Sequence, residues 1–307
     1  MENSNGTNKD YKDRLFKFIF GNPDNKEWTL SLYNAINKTS YENAEDIQLT
    51  TIEDAVYMSM KNDVSFLVDN TMSFYEQQST YNPNMPMRFL IYAGMVYSNY
   101  IESDDYHRFS YKQQKAPVPK CVCFYNGVPQ KDDTLILKLS DSFPPDSNSD
   151  IEVTVTMINI NYGHNRELME TCRPLEEYAW FVDRVRSNQQ KSSRKDKESL
   201  RSSINKAIYE LSDDSLIKPF LMKNKAEVER MCITEYNEER ALAQLEQDVR
   251  ADALEEGKRE GIKEGKIQTA VNLLKLGLLT KENIAAVTGF TVEKIIELAA
   301  QNNFTVS

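Results

Sequence analysis

Apolar residues recur at helical spacing near the start of the chain and then change to the alternation of strands. Tyr11 to Phe20 carries Leu15, Phe16, Ile19 and Phe20 on one side, and Gly21-Asn22-Pro23 ends the pattern. Glu27 to Asn37 repeats it with Trp28, Leu32, Tyr33 and Ile36. Ser40 to Val56 is mixed, with a short strand expected over Ile47–Ile52. Lys61 to Gln78 then holds two β-type runs around the turn-forming pair Asp69-Asn70. An even loop centred on that pair sets Val68 against Thr71, Leu67 against Met72, and Asp63 against Glu76. Directly opposed residues share a face with Cβ atoms about 4.5–5.5 Å apart, and Gln78, two beyond Glu76, shares it too. An odd loop would put the two carboxylates on opposite faces.

Both faces of this hairpin are apolar: Val64, Phe66, Val68 and Tyr75 on one, Leu67, Met72 and Phe74 on the other. A sheet buried on both faces implies an α/β sandwich. The pattern adds an apolar helix over Met87–Tyr100 and strands over Lys120–Tyr125, Leu135–Leu139 and Ile151–Ile160. Asn126-Gly127 marks a turn, and Leu168 to Arg186 returns to helix.

Composition shifts after residue 186. Ser187 to Arg201 is polar and basic and reads as a linker or a local DNA-contacting surface; Ser202–Leu221 and Asn224–Glu246 are helical. Gln247 to Lys266 is a charged helix with Gly257, Gly261 and Gly265 along one stripe, each costing about 1 kcal/mol relative to Ala. Self-association along the glycines or a flexible charged linker would each account for it. Thr280 and Thr291 are expected to cap helices at Asn283–Thr288 and Val292–Ala300, joined at Gly289-Phe290. Ile284, Ala285, Val287, Phe290, Ile295, Ile296 and Leu298 would form their shared core. The spacing fits a DNA-binding helix-turn-helix, but Glu293, Lys294 and Glu297 are a weak base-reading set, which favours a hairpin for packing or oligomerisation.

The domains expected are therefore a disordered N-terminus (1–10), an α/β domain (11–186), a basic linker with helices (187–246), and a glycine-striped helix with a helical hairpin (247–307). Forty per cent hydrophobic content supports a real core. Net charge of −10 argues against tight non-specific DNA binding, though not against a local basic surface. No apolar run approaches the roughly 18 residues of a membrane span. Cys121, Cys123, Cys172 and Cys232 have no metal-site spacing, which points to reduced thiols and a cytoplasmic setting. His107 and His164 are the only histidines, so chemistry would rest on carboxylates. Two facing carboxylates need neutralising, and Mg²⁺, which takes hard oxygen ligands, would do so. That is the pattern of a metal-dependent phosphodiesterase; an accidental pairing on a solvated sheet edge is the alternative.

Asn62-Asp63-Val64-Ser65-Phe66, Glu76-Gln77-Gln78-Ser79 and Met85-Pro86-Met87-Arg88 resemble the Rpn family of recombination-promoting nucleases, also labelled transposases, within the PD-(D/E)XK superfamily. So do Pro117-Val118-Pro119-Lys120, Tyr125-Asn126-Gly127, Asn159-Ile160-Asn161-Tyr162-Gly163-His164-Asn165, Arg173-Pro174-Leu175-Glu176-Glu177-Tyr178 and the Glu-Gly repeats at Glu256-Gly257 and Glu264-Gly265. The resemblance implies a mixed sheet flanked by helices, followed by an all-helical C-terminal region. It implies Asp63 and Glu76 as ligands of Mg²⁺ (or Mn²⁺), with the Gln77 backbone carbonyl completing the protein's share. The usual lysine is here Gln78, which orients water but adds no charge, so more charge stabilisation would rest on the metal. Arg88 would supply the missing positive charge, or is a surface helix arginine; Asn34 occupies an early helix where many superfamily members place a carboxylate.

The function implied is a Mg²⁺-dependent DNA endonuclease linked to recombination or mobile elements. The alternative is a non-catalytic DNA-binding or assembly protein on the same fold, with the C-terminal helices serving partners, including further copies of the chain.

Overall fold

The turn at Asp69-Asn70 has two residues, and every register pair follows from it. In the computed structural model β2 (Val64–Val68) pairs antiparallel with β3 (Thr71–Gln78), from Val68↔Thr71 to Val64↔Tyr75. Asp69 takes a positive φ of 50°, which Asp tolerates at a turn. The structure describes residues 15–49, 64–102, 111–129, 131–194, 196–302 and 304. The expected Asp63–Glu76 pairing, residues 11–14 of the first helix and the polar N-terminus lie outside them.

The chain divides into two compact units, 1–239 and 240–307. The first is mixed α/β. Its sheet runs β1-β2-β3-β4-β6-β5, with β1 (Gln48–Leu49) a two-residue edge. β3 leads through α3 (Met85–Glu102) to β4 (Val118–Tyr125), which lies parallel to it. β6 (Thr154–Asn159) continues parallel to β4, and β5 (Thr134–Lys138) closes the far edge antiparallel to β6.

Both faces of the sheet are covered, as the two-sided hairpin requires. α3 covers one, where Phe89, Tyr92 and Val96 pack on Met72, Phe74, Tyr125 and Met157. α1 (Leu15–Phe20) and α2 (Lys26–Asn37) cover the other, where Phe16, Phe20 and Tyr33 meet Phe66, Tyr75 and Phe124.

Three expectations fail in this unit; one is the helix expected over Ser202–Leu221, where helix ends at Glu210 and resumes only at Lys218. The single helix over Leu168–Arg186 is two, α4 (Arg166–Thr171) and α5 (Arg173–Lys191). Pro174 cannot donate to the preceding turn, so it opens α5 instead of continuing α4. The basic segment 187–201 is not a linker. α5 runs to Lys191, and α6 (Lys197–Glu210) begins under an Asp196 cap that accepts from the Ser199 N–H. Polar side chains hide a packed seam there. Gln189 is buried and its Oε1 accepts from the Ser199 and Ser203 hydroxyls at 3.3 and 3.1 Å. Leu200, Ile204 and Ile208 of α6, Leu221 of α7 (Lys218–Lys223) and Val228 of α8 (Lys225–Leu276) join the α1/α2 core.

Helix α8 is one continuous helix through the positions expected to divide at 246. Its residues from 240 onward belong to the second unit. Gly257, Gly261 and Gly265 are exposed, and a Cβ at any of them would meet nothing within 4 Å. α9 (Lys281–Thr288) and α10 (Val292–Gln301) carry the expected Thr280 and Thr291 caps, with Gly289 at φ 72° between them. Ile284, Ala285, Ile295 and Leu298 are buried against Ala270 and Leu274 of α8. Val287 and Ile296, expected in that core, are 67% and 48% exposed. Each turns away from the stripe that Ala270 and Leu274 cover.

Candidate functional site

Alternation along β3 gives its two faces different chemistry. Met72, Phe74, Glu76 and Gln78 look toward α3, and Ser73, Tyr75 and Gln77 toward α1 and α2. Glu76 is 2% exposed. A carboxylate so far from water needs a charged partner and hydrogen bonds. Arg88, in the first turn of α3, supplies the charge: its Nη2 lies 2.5 Å from Glu76 Oε1. Gln78 Nε2 donates to the same oxygen at 3.0 Å. The guanidinium is itself held by the Tyr92 hydroxyl, one helical turn on, which accepts from Nε at 3.1 Å and Nη2 at 2.7 Å. Glu76, Gln78 and Arg88 are thus brought together. Arg88 is more than a surface helix arginine, since its side chain is three-quarters covered.

Gln77 starts a second polar chain through the other face. Its Nε2 donates to Asn126 Oδ1 at 2.5 Å, and Asn126 Nδ2 donates to the Tyr178 hydroxyl at 3.2 Å. Arg186 Nη1 donates to the Asn126 carbonyl at 2.5 Å and to Asn161 Oδ1 at 3.4 Å. Asn161 Nδ2 reaches Asn159 Oδ1 at 2.9 Å, and the Asn159 amide lies 3.3 Å from His164 Nδ1. Apart from Arg186, these residues come from four separate motifs. Of these, only Gln77 had a role from the sequence, through its backbone carbonyl; a signal for others lay in Asn126 and in the Asn159–Asn165 segment, at the ends of β4 and β6. The chain clamps the strand that presents Glu76.

Asn34 is not brought to Glu76. It sits on α2, on the opposite face of the sheet, and serves the turn that follows. Its Oδ1 accepts from the Thr39 hydroxyl and the Tyr41 N–H at 2.9 and 3.0 Å, and its Nδ2 donates to the Tyr41 carbonyl at 2.8 Å.

Glu76, the Gln78 amide and the Gln77 carbonyl are hard oxygen donors, the type Mg²⁺ takes, commonly with only one or two carboxylates and the rest water and phosphate. Among the described residues no group of three or more His, Cys, Asp or Glu side chains is placed to hold a metal. Glu76 is the one described carboxylate here, and its Oε1 is already held by Arg88 and Gln78.

No protein-family model and no curated protein matches the sequence, and no solved structure matches the fold.

Proposed function

We propose that the chain is a metal-dependent DNA endonuclease of the PD-(D/E)XK type, with its site at Glu76. The observation that carries this is a carboxylate buried on a central strand, beside an amide and an arginine. The hairpin–helix–parallel-strand path around it suits a reading made first on motif resemblance. Glu76 and the Gln77 carbonyl would hold the metal, together with Asp63. When bound, such a metal lowers the pKa of its water and polarises a phosphoryl oxygen.

The protein's own groups have separate tasks. Arg88 fixes the carboxylate before substrate arrives and offers a charge to a phosphate oxygen, the part a lysine at position 78 would otherwise play. Gln78 orients water by donating and accepting. The Gln77–Asn126–Tyr178 chain holds β3 still, and such positioning is worth several kcal/mol in a hydrolysis.

A second reading is favoured by the Glu76–Arg88 contact itself: the pair is structural, and the chain binds DNA or partners without cutting. Supercoiled plasmid with Mg²⁺ separates the two. The endonuclease relaxes or linearises plasmid, loses this with Glu76→Ala, and loses about 10²–10³-fold with Arg88→Ala. Wild-type protein that leaves plasmid intact under Mg²⁺ and Mn²⁺ supports the structural pair. Cutting that survives Glu76→Ala places the site elsewhere.

A further inference from the structure

Most helices in a folded protein draw their stability from a covered face, and α8 lacks one over much of its length. Among the described residues every position from Arg240 to Lys266 is exposed. That stretch makes about seven turns. Leu245 and Val249 within it are 60% and 59% exposed.

The charges of this stretch are sorted in a way that an isolated helix does not favour. Asp248, Asp252 and Glu256 follow one another at four-residue spacing, and Arg259, Lys263 and Lys266 continue the row. At about 100° per residue all six fall within an arc of about 80°, and Leu245 falls in the same arc. Like charges one turn apart destabilise a helix. Neighbours within α8 do little to relieve them. Asp248 and Asp252 have no basic residue three or four positions away on either side, and the Gln244 amide that donates to Asp248 is neutral. Glu256 reaches Arg259 only at 4.0 Å.

The row is, however, its own complement when reversed. About a two-fold axis between Gly257 and Lys258, Glu256 comes level with Arg259 and Asp252 with Lys263, each pair occurring twice. A parallel copy instead sets acid on acid and base on base. Farther out, Leu245 comes level with Ala270, beside Ile267 and Leu273, which their own hairpin buries only in part. Gly257, Gly261 and Gly265 lie on the far side of the helix and take no part.

We propose that a second copy of the chain docks on this row, α8 antiparallel to α8, with Asp252 and Glu256 of each copy on Lys263 and Arg259 of the other. The contact joins the second units. It is independent of the Glu76 site and of endonuclease activity.

Sedimentation equilibrium of the full chain, without DNA or metal, tests this. Wild type sediments as a dimer of the 35.5 kDa chain at micromolar concentration. Salt at about 1 M, where the screening length is about 3 Å, weakens the dimer. Asp252→Lys with Glu256→Lys, and separately Arg259→Glu with Lys263→Glu, turn the row to a single sign. Each double variant raises the dissociation constant at least about tenfold, because the ion pairs are lost and like charges replace them. All four substitutions in one chain restore the pairs in the opposite sense and return the constant to within about threefold of wild type. That rescue separates lost pairing from lost folding. A wild-type chain that stays monomeric at about 0.1 mM overturns the proposal. So does a dimer that neither reversal weakens, a dimer indifferent to salt, or a combined variant as weak as the two reversals.

Discussion

Replacing Arg88 with Met keeps most of the stem that packs beside Tyr92 and removes the charge. Glu76 is then left with a side chain 3% exposed and, of the Arg88 and Gln78 contacts to Oε1, only the neutral Gln78 donor at 3.0 Å. Removing one partner of a buried ion pair costs about 3–5 kcal/mol. Arg88 is 26% exposed, so water reaches part of the gap, and the lower end, about 3 kcal/mol, is expected. Glu76→Gln in the same chain removes the stranded charge and keeps an oxygen for Gln78. The double variant should lie within about 1 kcal/mol of wild type, the net worth of an ordinary hydrogen bond. The coupling energy is then about 2 kcal/mol or more, well beyond the error of a double-mutant cycle. Urea denaturation followed by tryptophan fluorescence is the right assay, because Trp28 and Trp180 both lie in the first unit. With a slope of about 2 kcal/mol per molar, the Arg88→Met midpoint falls by roughly 1.5 M. A fall smaller than about 0.25 M, or a double variant as unstable as the two single variants summed, refutes the reasoning that Arg88 neutralises a buried carboxylate.

Other expectations are as direct. At buried Gly127 a Cβ would stand 2.2 Å from the Ser79 carbonyl oxygen and 2.5 Å from the Tyr125 hydroxyl. Gly127→Ala should therefore cost about 3 kcal/mol, the upper end for an overpacked site, as read by the same denaturation curve. The Arg184 guanidinium, 2.5 Å away, holds the Glu210 carboxyl below its ordinary value. For a depressed acid the stabilisation is present above the unfolded value and is lost as pH falls through the folded one. Arg184→Gln should thus lower stability at neutral pH, with the difference from wild type shrinking as acid protonates Glu210; a difference independent of pH contradicts the assignment. Burial pushes the Cys121 thiol up to about 12 and raises Cys172 and Cys232 as well. Iodoacetamide at pH 8 should leave these three unmodified in native protein by mass spectrometry, and rapid alkylation of Cys121 would count against it.

Much of the first unit was legible because one short turn governs it. The count of residues between Val68 and Thr71 settles the β2–β3 register, and register with alternation places Glu76 and Gln78 on one face. Arg88 was within reach of the same logic, one helical turn into α3. Asn34 was not, because which face of the sheet a helix covers depends on packing that its own spacing does not encode. The 187–201 segment misled through composition. Its charges are real, but Gln189 and Leu200 are buried among them. Pro174 was a plain stop signal inside a long helical pattern and outweighed it. The chain from Gln77 through Asn126 and Tyr178 joins residues 49 and 52 apart, which no local pattern connects. Val287 and Ile296 show the reverse error: an apolar residue on a short helix is not core unless a partner helix lies on its side.

The two polar clusters on β3 differ in how far along the chain they reach, and that has a kinetic consequence. Glu76 and Arg88 are 12 residues apart, a loop that closes in well under a microsecond once the hairpin and the first turn of α3 exist. The Gln77 cluster must wait for β4 to arrive in parallel from beyond α3, and then for α5. Loop-closure entropy makes those contacts late. Arg88→Met should accordingly slow refolding of the first unit, while Asn126→Ala should chiefly speed its unfolding. The acidic side of the strand is thus assembled early, and the clamp that holds it is added last.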